Sequence, residues 1–236
     1  MNNNNVIEGI LLVDKPEGWT SFDVVNYIRK MVAHKLGKKP RNVKVGHTGT
    51  LDPAATGLLV ICVGKTYTKK VPQLIAHDKE YVAEITFGAS SDTGDKEGVI
   101  APDAELRHLP KEELEATLRT FIGTSSQVPP AYSALKVNGV RAYTLAREGK
   151  PVNLQPRTIQ IDDLTLLEYS WPTARVRCRV SSGTYIRVLA EDIGRSLGTS
   201  AYLSSLRRTG VGDWSIEDAV DVKTISIDKI EEKLLV

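Results

Sequence analysis

Cysteine is scarce: the 236 residues contain only Cys62 and Cys178. Both lie in apolar, strand-like segments and there is no CxxC pair, which argues against a disulfide framework and leaves two small core residues. The four histidines, His34, His47, His77 and His108, lack the spacing of a zinc site, so no metal is expected. No apolar run approaches the length that crosses a membrane. Met1 is followed by four asparagines, which lack the basic start and apolar stretch of a signal peptide and read as a short disordered tail. These absences fit a reducing, cytoplasmic setting. Internal repeats and low-complexity tracts are also missing. So are acidic residues between Arg29 and Lys44, where seven Lys or Arg stand.

What is present is ordinary in bulk and uneven in detail. The length suits one large domain, or a domain with an insertion, with a sizeable core. Apolar residues at 41% and charged residues at 25% are usual for a soluble globular chain. The net charge of +2 hides segregation, because from Asp213 onward seven acidic residues face three lysines. The rest is clearly basic, as a solvated charged face or a phosphate-rich partner would require.

One stretch organises the reading: Gly46-His47-Thr48-Gly49-Thr50-Leu51-Asp52-Pro53-Ala54-Ala55-Thr56-Gly57-Leu58-Leu59. Its glycines allow backbone shapes closed to other residues. Pro53 biases Asp52 toward extended backbone. Leu58 to Val63 then forms a continuous apolar run, the pattern of a buried strand. A carboxylate on a stiff loop beside a buried strand is well placed for chemistry, although Asp-Pro also occurs in plain turns.

Elsewhere the chain alternates strands and helices irregularly. Ile10 to Val13 predicts a strand ending in the Asp14-to-Gly18 turn. Thr20-x-x-Asp23 caps a helix carrying Val24, Val25, Ile28, Met31 and Val32 at helical spacing. From Lys79, alternation through Tyr81, Ala83, Ile85 and Phe87 predicts a strand. Gly88 to Gly98, with Asp92, Asp95 and Glu97, lacks EF-hand spacing and reads as a polar loop. Pro110 opens a helix through Leu114, Leu118 and Phe121. Thr124 to Arg157 is a basic, tyrosine-bearing excursion whose only acidic residue is Glu148, with a short helix from Ala142 to Glu148. Arg157 to Glu168 predicts a strand, and Ala174 to Ser182 another with one apolar and one arginine face. A helix from Ile186 to Leu197 stops at Gly198. That places Tyr185 and Arg187 at a strand-to-helix junction, where Arg187 could bind an anion or make a surface salt bridge. The class is α+β with a mixed, largely antiparallel sheet.

The stretch Gly46 to Pro53 resembles the signature of the TruB family, the tRNA pseudouridine-55 synthases. Further blocks resemble the family in the same order: Leu11 to Pro16, Lys79-Glu80-Tyr81, Pro129 to Lys136, Gly183 to Arg187, and Leu206-Arg207-Arg208. The resemblance runs from about Gly9 to about Gly212. It implies the pseudouridine synthase fold with a central catalytic cleft, over residues 6–220. It also implies that 124–157 is a thumb insertion that clamps RNA. Residues 221–236 are left as an amphipathic tail, with no room for the PUA-like domain of many bacterial members.

The resemblance implies site residues as well. Asp52 is the nucleophile, attacking either C1′ of the ribose or C6 of the uracil. Arg187 pairs with it and keeps it ionised, and Tyr81 stacks on the base and assists proton transfer at C5. Tyr185 and Leu206 complete the pocket wall. His47, Lys15, Asp95 and Lys136 are expected at the substrate, His47 supporting the T-loop as the base leaves. The expected reaction is isomerisation of uridine 55 in the tRNA elbow by base flipping, by a monomer, without cofactor or metal. Two other classes compete: an RNA-binding or tRNA-chaperone protein without catalysis, and a uridine nucleosidase.

Overall fold

A computed structural model of the chain describes residues 7–105 and 107–235. The asparagine-rich start, expected to be disordered, lies outside the described residues. In chain order the first strands are β1 (Gly9–Lys15), β2 (Val45–His47), β3 (Thr56–Val63), β4 (Lys79–Phe87), β5 (Ala89–Ser91), β6 (Ile100–Pro102) and β7 (Gly123–Gln127). They continue as β8 (Lys136–Val137), β9 (Val140–Arg141), β10 (Arg157–Ser170), β11 (Thr173–Val180), β12 (Ala201–Val211), β13 (Trp214–Ser215) and β14 (Val220–Asp221). The α-helices are α1 (Ser21–Lys35), α2 (Lys65–Thr68), α3 (Val71–Leu74), α4 (Lys111–Thr120), α5 (Ala142–Arg147), α6 (Ile186–Ser196) and α7 (Ile227–Lys233). The chain divides into two compact units, one holding the residues up to Tyr81 with those from Arg207 on, the other Val82–Leu206.

In the first unit β1 pairs antiparallel with β3, Leu11 opposite Ile61 and Val13 opposite Leu59. Both faces of this pair are covered, which is why each strand reads as an unbroken apolar run instead of an alternation. On one face Leu11, Val13, Leu59, Ile61 and Val63 pack against Val24, Val25, Ile28 and Val32 of α1. On the other, Ile10, Leu12, Leu58, Val60 and Cys62 meet Tyr67 and Val211. Each such aliphatic side chain, fully buried, contributes roughly 1.5–3 kcal/mol. The expected capping box starts α1: Asp23 N donates to Thr20 Oγ1 at 3.0 Å, and Thr20 N to Asp23 Oδ2 at 2.8 Å. Such a cap is worth about 1 kcal/mol.

The C-terminal segment is a docked part of this unit. Val222, Ile225 and Ile230 enter the same core as α1, and Ile10 and Leu235 exchange two backbone hydrogen bonds of 2.8 Å. The amphipathic pattern was legible, and its apolar face is what brings the segment home.

β3 also runs parallel to the end of β12, Thr56 opposite Arg207 and Gly57 opposite Arg208. This close approach explains Gly57. Its φ is +101°, and a Cβ there would lie 2.3 Å from the Arg208 carbonyl oxygen and 2.7 Å from the Arg208 nitrogen. Gly57→Ala is therefore expected to cost about 3 kcal/mol or more, combining an unfavourable backbone region with a clash against main chain. Urea unfolding measures it, and a loss below about 1 kcal/mol would show that β3 and β12 can part freely.

In the second unit β7, β10 and β11 lie side by side, antiparallel. Along β11, Ala174, Val176, Cys178 and Val180 are buried while Arg175, Arg177 and Arg179 face out, as the alternation predicts. The arginine face is tied across the strand pair, Arg175 to Glu168 at 3.0 Å and Arg177 to Asp163 at 3.2 Å. Such exposed pairs are worth ~0–1 kcal/mol each.

The insertion proves narrower than 124–157. Gln127 stands opposite Arg157, so Thr124–Gln127 and Arg157 belong to the paired strands, and the excursion proper covers 128–156. Inside it β8 and β9 form a hairpin whose turn, Asn138-Gly139, has positive φ at both positions (51° and 84°). The polar loop 88–98 is closed by a ribbon of β5 and β6 that pattern reading did not anticipate. Its strands are three residues each, too short to show a strand rhythm, and side-chain caps hold it as well, such as Val99 N donating to Asp92 Oδ1 at 2.8 Å.

Candidate active site

The two units each hold part of the expected site. In the first, β2 delivers the chain to residues 48–55, and β3 takes it away again; His47 pairs with Ile61 across the two strands. Asp52, half-buried, lies between two residues whose main chain is gripped. Before it, Leu51 N donates to Ser21 Oγ at 2.8 Å and Ser21 Oγ donates to Leu51 O at 3.0 Å. After it, Pro53 O accepts from Gly18 N at 2.9 Å and from Lys15 Nζ at 3.3 Å. Ala55 N closes a turn onto Asp52 O at 3.1 Å. The carboxylate is thus carried on backbone whose position is set before substrate arrives.

Lys15 differs from expectation. It was expected at the substrate, but its side chain is fully buried, and its ammonium donates to the carbonyls of Pro16 (3.0 Å) and Trp19 (2.6 Å) as well as Pro53. A charge taken out of water needs such partners, and the carbonyls of the turn supply them. These bonds tie Pro53 to the turn that follows β1. Ser21, the first residue of α1, escaped pattern reading because its clamp is a contact 30 residues along the chain.

His47 uses Nδ1 to accept from Gly49 N at 3.3 Å. Burial, and after it the Arg208 guanidinium, lower its pKa from the ordinary histidine value. Lys79 and Tyr81 occupy alternate inward positions of β4. Burial first, then Arg208, pull the Lys79 ammonium down to about 8, against a smaller upward pull from Asp78. That ammonium donates to the carbonyls of Ile75 and His77.

In the second unit Arg187, in the first turn of α6, is only 7% exposed, which excludes a surface salt bridge. Its Nη1 donates to Thr93 O and its Nη2 to Tyr132 O, both at 2.8 Å, and its Nε lies 3.5 Å from Asp95 Oδ2. Asp95 is also buried, accepting from Thr93 Oγ1 at 2.7 Å and Glu97 N at 3.0 Å. Asp95 was expected to meet substrate; the structure turns its carboxylate inward as the internal partner of Arg187. Gly94, between them, has φ +76°, and a Cβ there would lie 2.5 Å from Glu191 Oε1. Burial, then Asp192, push the Glu191 carboxyl up.

Tyr185 caps α6, and its main chain is held by one side chain: Tyr185 N donates to Gln127 Oε1 at 2.8 Å, and Gln127 Nε2 donates to Tyr185 O at 3.1 Å. Gln127, buried at the end of β7, is a positioning group without a signal in the sequence. Leu206 is half-buried in β12, and Lys136 is exposed on the β8–β9 hairpin. The structure therefore brings Arg187, Asp95 and Tyr185 together around the start of α6, with Lys136 out on the insertion. Lys15, His47 and Asp52 are brought together around one loop.

The Arg187–Asp95 pair gives a direct expectation. Arg187→Met leaves a buried carboxylate without its cation and should destabilise the protein by about 3–5 kcal/mol. Adding Asp95→Asn should restore part of that loss in urea unfolding. A double variant costing the sum of the two single ones would mean that the two charges are not coupled.

The chain is similar over most of its length to proteins of one family. The family described as TruB family pseudouridylate synthase (N terminal domain) matches residues 34–186, and the tRNA pseudouridylate synthase B C-terminal domain matches 187–235. The tRNA pseudouridine synthase B of Phocaeicola vulgatus is 47% identical over 93% of this chain and 93% of that protein. Its counterpart in Bacteroides fragilis is 46% identical over 92% of each. Among solved structures, a chain in the crystal structure of a Cbf5-Nop10-Gar1 complex superposes with TM-score 0.70 at 29% identity, over 93% of this chain and 54% of that one. A chain in the structure of an H/ACA RNP bound to a substrate RNA containing 2'-deoxyuridine gives 0.66 at 26%, over 93% and 52%. This chain spans about half the length of those two. With a family match across most of its length, the chain belongs to the TruB family of pseudouridylate synthases.

Proposed function

We propose that this protein isomerises uridine 55 in the T-loop of tRNA to pseudouridine, acting as a cytoplasmic monomer with Asp52 as nucleophile. The observation that carries the reading is the half-buried Asp52, with the main chain gripped on either side by Ser21, Gly18 and Lys15. Relatives named tRNA pseudouridine synthase B, at 47% and 46% identity, support tRNA as the substrate. In the reaction the N1–C1′ bond breaks and a C5–C1′ bond forms; the C5 proton leaves and N1 gains one, so the atoms balance without a co-reactant. A carboxylate suits the interval, because it can hold a covalent intermediate while the detached base turns. Tyr81 and Arg187 are the other catalytic groups, and Tyr185 and Leu206 form the pocket wall.

The target uridine is flipped out of the tRNA elbow at a cost of a few kcal/mol of stacking. His47 and Lys136 meet the RNA; Lys15 and Asp95 act from behind, holding the loop and Arg187. Incubating the protein with an unmodified tRNA transcript and mapping the product tests the reading. Pseudouridine at position 55, absent when that uridine is replaced by cytidine, is the expected result. Unchanged uridine would indicate a binding protein, and free uracil with an abasic site a nucleosidase; either would overturn the proposal.

A further inference from the structure

Arg208 is almost completely buried, at 2% exposure. Its guanidinium donates from Nε to Leu58 O at 2.7 Å and from Nη2 to Gly49 O at 3.1 Å. These two carbonyls stand on either side of residues 50–57, the span that carries Asp52. Both bonds go to main chain, so among the described residues the charge is not spent on a carboxylate. The main chain of Arg208 is placed as firmly, by its pairing with Gly57.

The Gly49 peptide is gripped at both ends. Its carbonyl accepts from Arg208, and its N–H donates to His47 Nδ1 at 3.3 Å. An imidazole nitrogen that accepts carries no proton, so the remaining proton of a neutral His47 lies on Nε2. A Cβ at Gly49 would lie 3.4 Å from Arg208 Nη1, so the guanidinium also fills the space beside this residue. Burial and Arg208 both act against protonation of His47. Further cations here are Lys79, whose Cε would lie 4.0 Å from a Cβ at Gly49, and Arg29 of α1, whose Nη2 donates to Val45 O of β2 at 3.1 Å.

We propose that Arg208 is a positioning residue of the reaction, joining both ends of the Asp52 loop through the Gly49 and Leu58 carbonyls and presenting His47 as an Nε2–H donor. The inference rests on the assignment of Asp52 above. A guanidinium suits the role because Nε and Nη2 lie in one rigid plane and reach two carbonyls at once. A lysine ammonium is a single point on a flexible stem and cannot reproduce that fork.

The test combines Arg208→Lys, Arg208→Gln and the imidazole nitrogen NMR spectrum of His47. In the wild-type protein His47 is expected as the Nε2–H tautomer with a lowered pKa. Turnover of an unmodified tRNA transcript by Arg208→Lys should fall roughly 10–100-fold, with KM within about threefold, since misplacing a reacting group by about 1 Å costs up to that much. Arg208→Gln, which removes the charge, should raise the His47 pKa; Arg208→Lys should leave it low. A merely structural role would lower stability without this loss of turnover at a nearly unchanged KM. An Nδ1–H tautomer in wild type, or turnover of Arg208→Lys within about twofold of wild type, would overturn the proposal. If Arg208→Gln does not fold, the wild-type spectrum and the lysine variant still decide. The His47 spectrum needs no turnover, so it stands apart from any failure of the Asp52 assignment.

Discussion

Asp52→Asn is expected to bind tRNA within about threefold of wild type while losing at least about 10³-fold in turnover, because only the carboxylate can act as the covalent nucleophile. The substitution keeps the shape of the side chain. The local fold should survive it, since Ser21, Gly18 and Lys15 hold this loop through the main chain of Leu51 and Pro53. Binding should survive as well, because affinity for RNA comes mainly from neutralised phosphates. Product mapping under single-turnover conditions, alongside a binding titration of the same variant, separates the two effects. Pseudouridine formed at a tenth of the wild-type rate would remove Asp52 from the role of nucleophile. A parallel loss of binding and urea stability would instead mean that the asparagine disturbs the loop.

The second large effect should come from the insertion. Lys136, Arg141 and Arg147 are all exposed, on β8, β9 and α5 of one excursion. Arg141 donates to Ala134 O, and the Arg147 guanidinium lies 5.6 Å from the Tyr143 ring centroid, so the cations are partly ordered before RNA arrives. Replacing all three with alanine should weaken tRNA binding by about 10- to 10³-fold at moderate salt. The slope of log affinity against log salt should become shallower by about 2–3, since each phosphate contact contributes about 0.7–0.9. Turnover at saturating tRNA should stay within about threefold, because these residues grip backbone and do not touch the reacting base. Titrations at several salt concentrations, with full tRNA and with an isolated T-arm hairpin, provide the comparison. Unchanged affinity in the triple variant, or an inert hairpin with wild-type protein, would mean that the insertion is not the clamp.

Local rules carried much of the fold into view. The capping box at Thr20 and Asp23, the apolar run from Leu58 to Val63 and the alternation from Lys79 to Phe87 became α1, β3 and β4 because each is decided by neighbouring dihedrals and by which face is apolar. The chemistry was legible for a different reason: Asp52 sits in a block of glycines and proline whose order resembles a family signature, and that resemblance runs on through separated blocks. The loop's residues alone left Asp52 open between a turn residue and a reacting group.

Tertiary structure decided what holds those groups. Lys15 and Asp95 look like surface charges in the sequence, and the fold buries both, one on the carbonyls around Asp52 and the other against Arg187. Ser21 reaches Leu51 across 30 residues, Gln127 reaches Tyr185 across 58, and Arg208 reaches Leu58 across 150. Each is a side chain bonded to main chain, and such a bond leaves no periodic trace and constrains neither residue's neighbours. The sequence by itself determined most of the longer elements and pointed to Asp52 as the candidate carboxylate. Only the packed chain decided which polar side chains lose water, and those must then find main-chain partners wherever the fold has placed them.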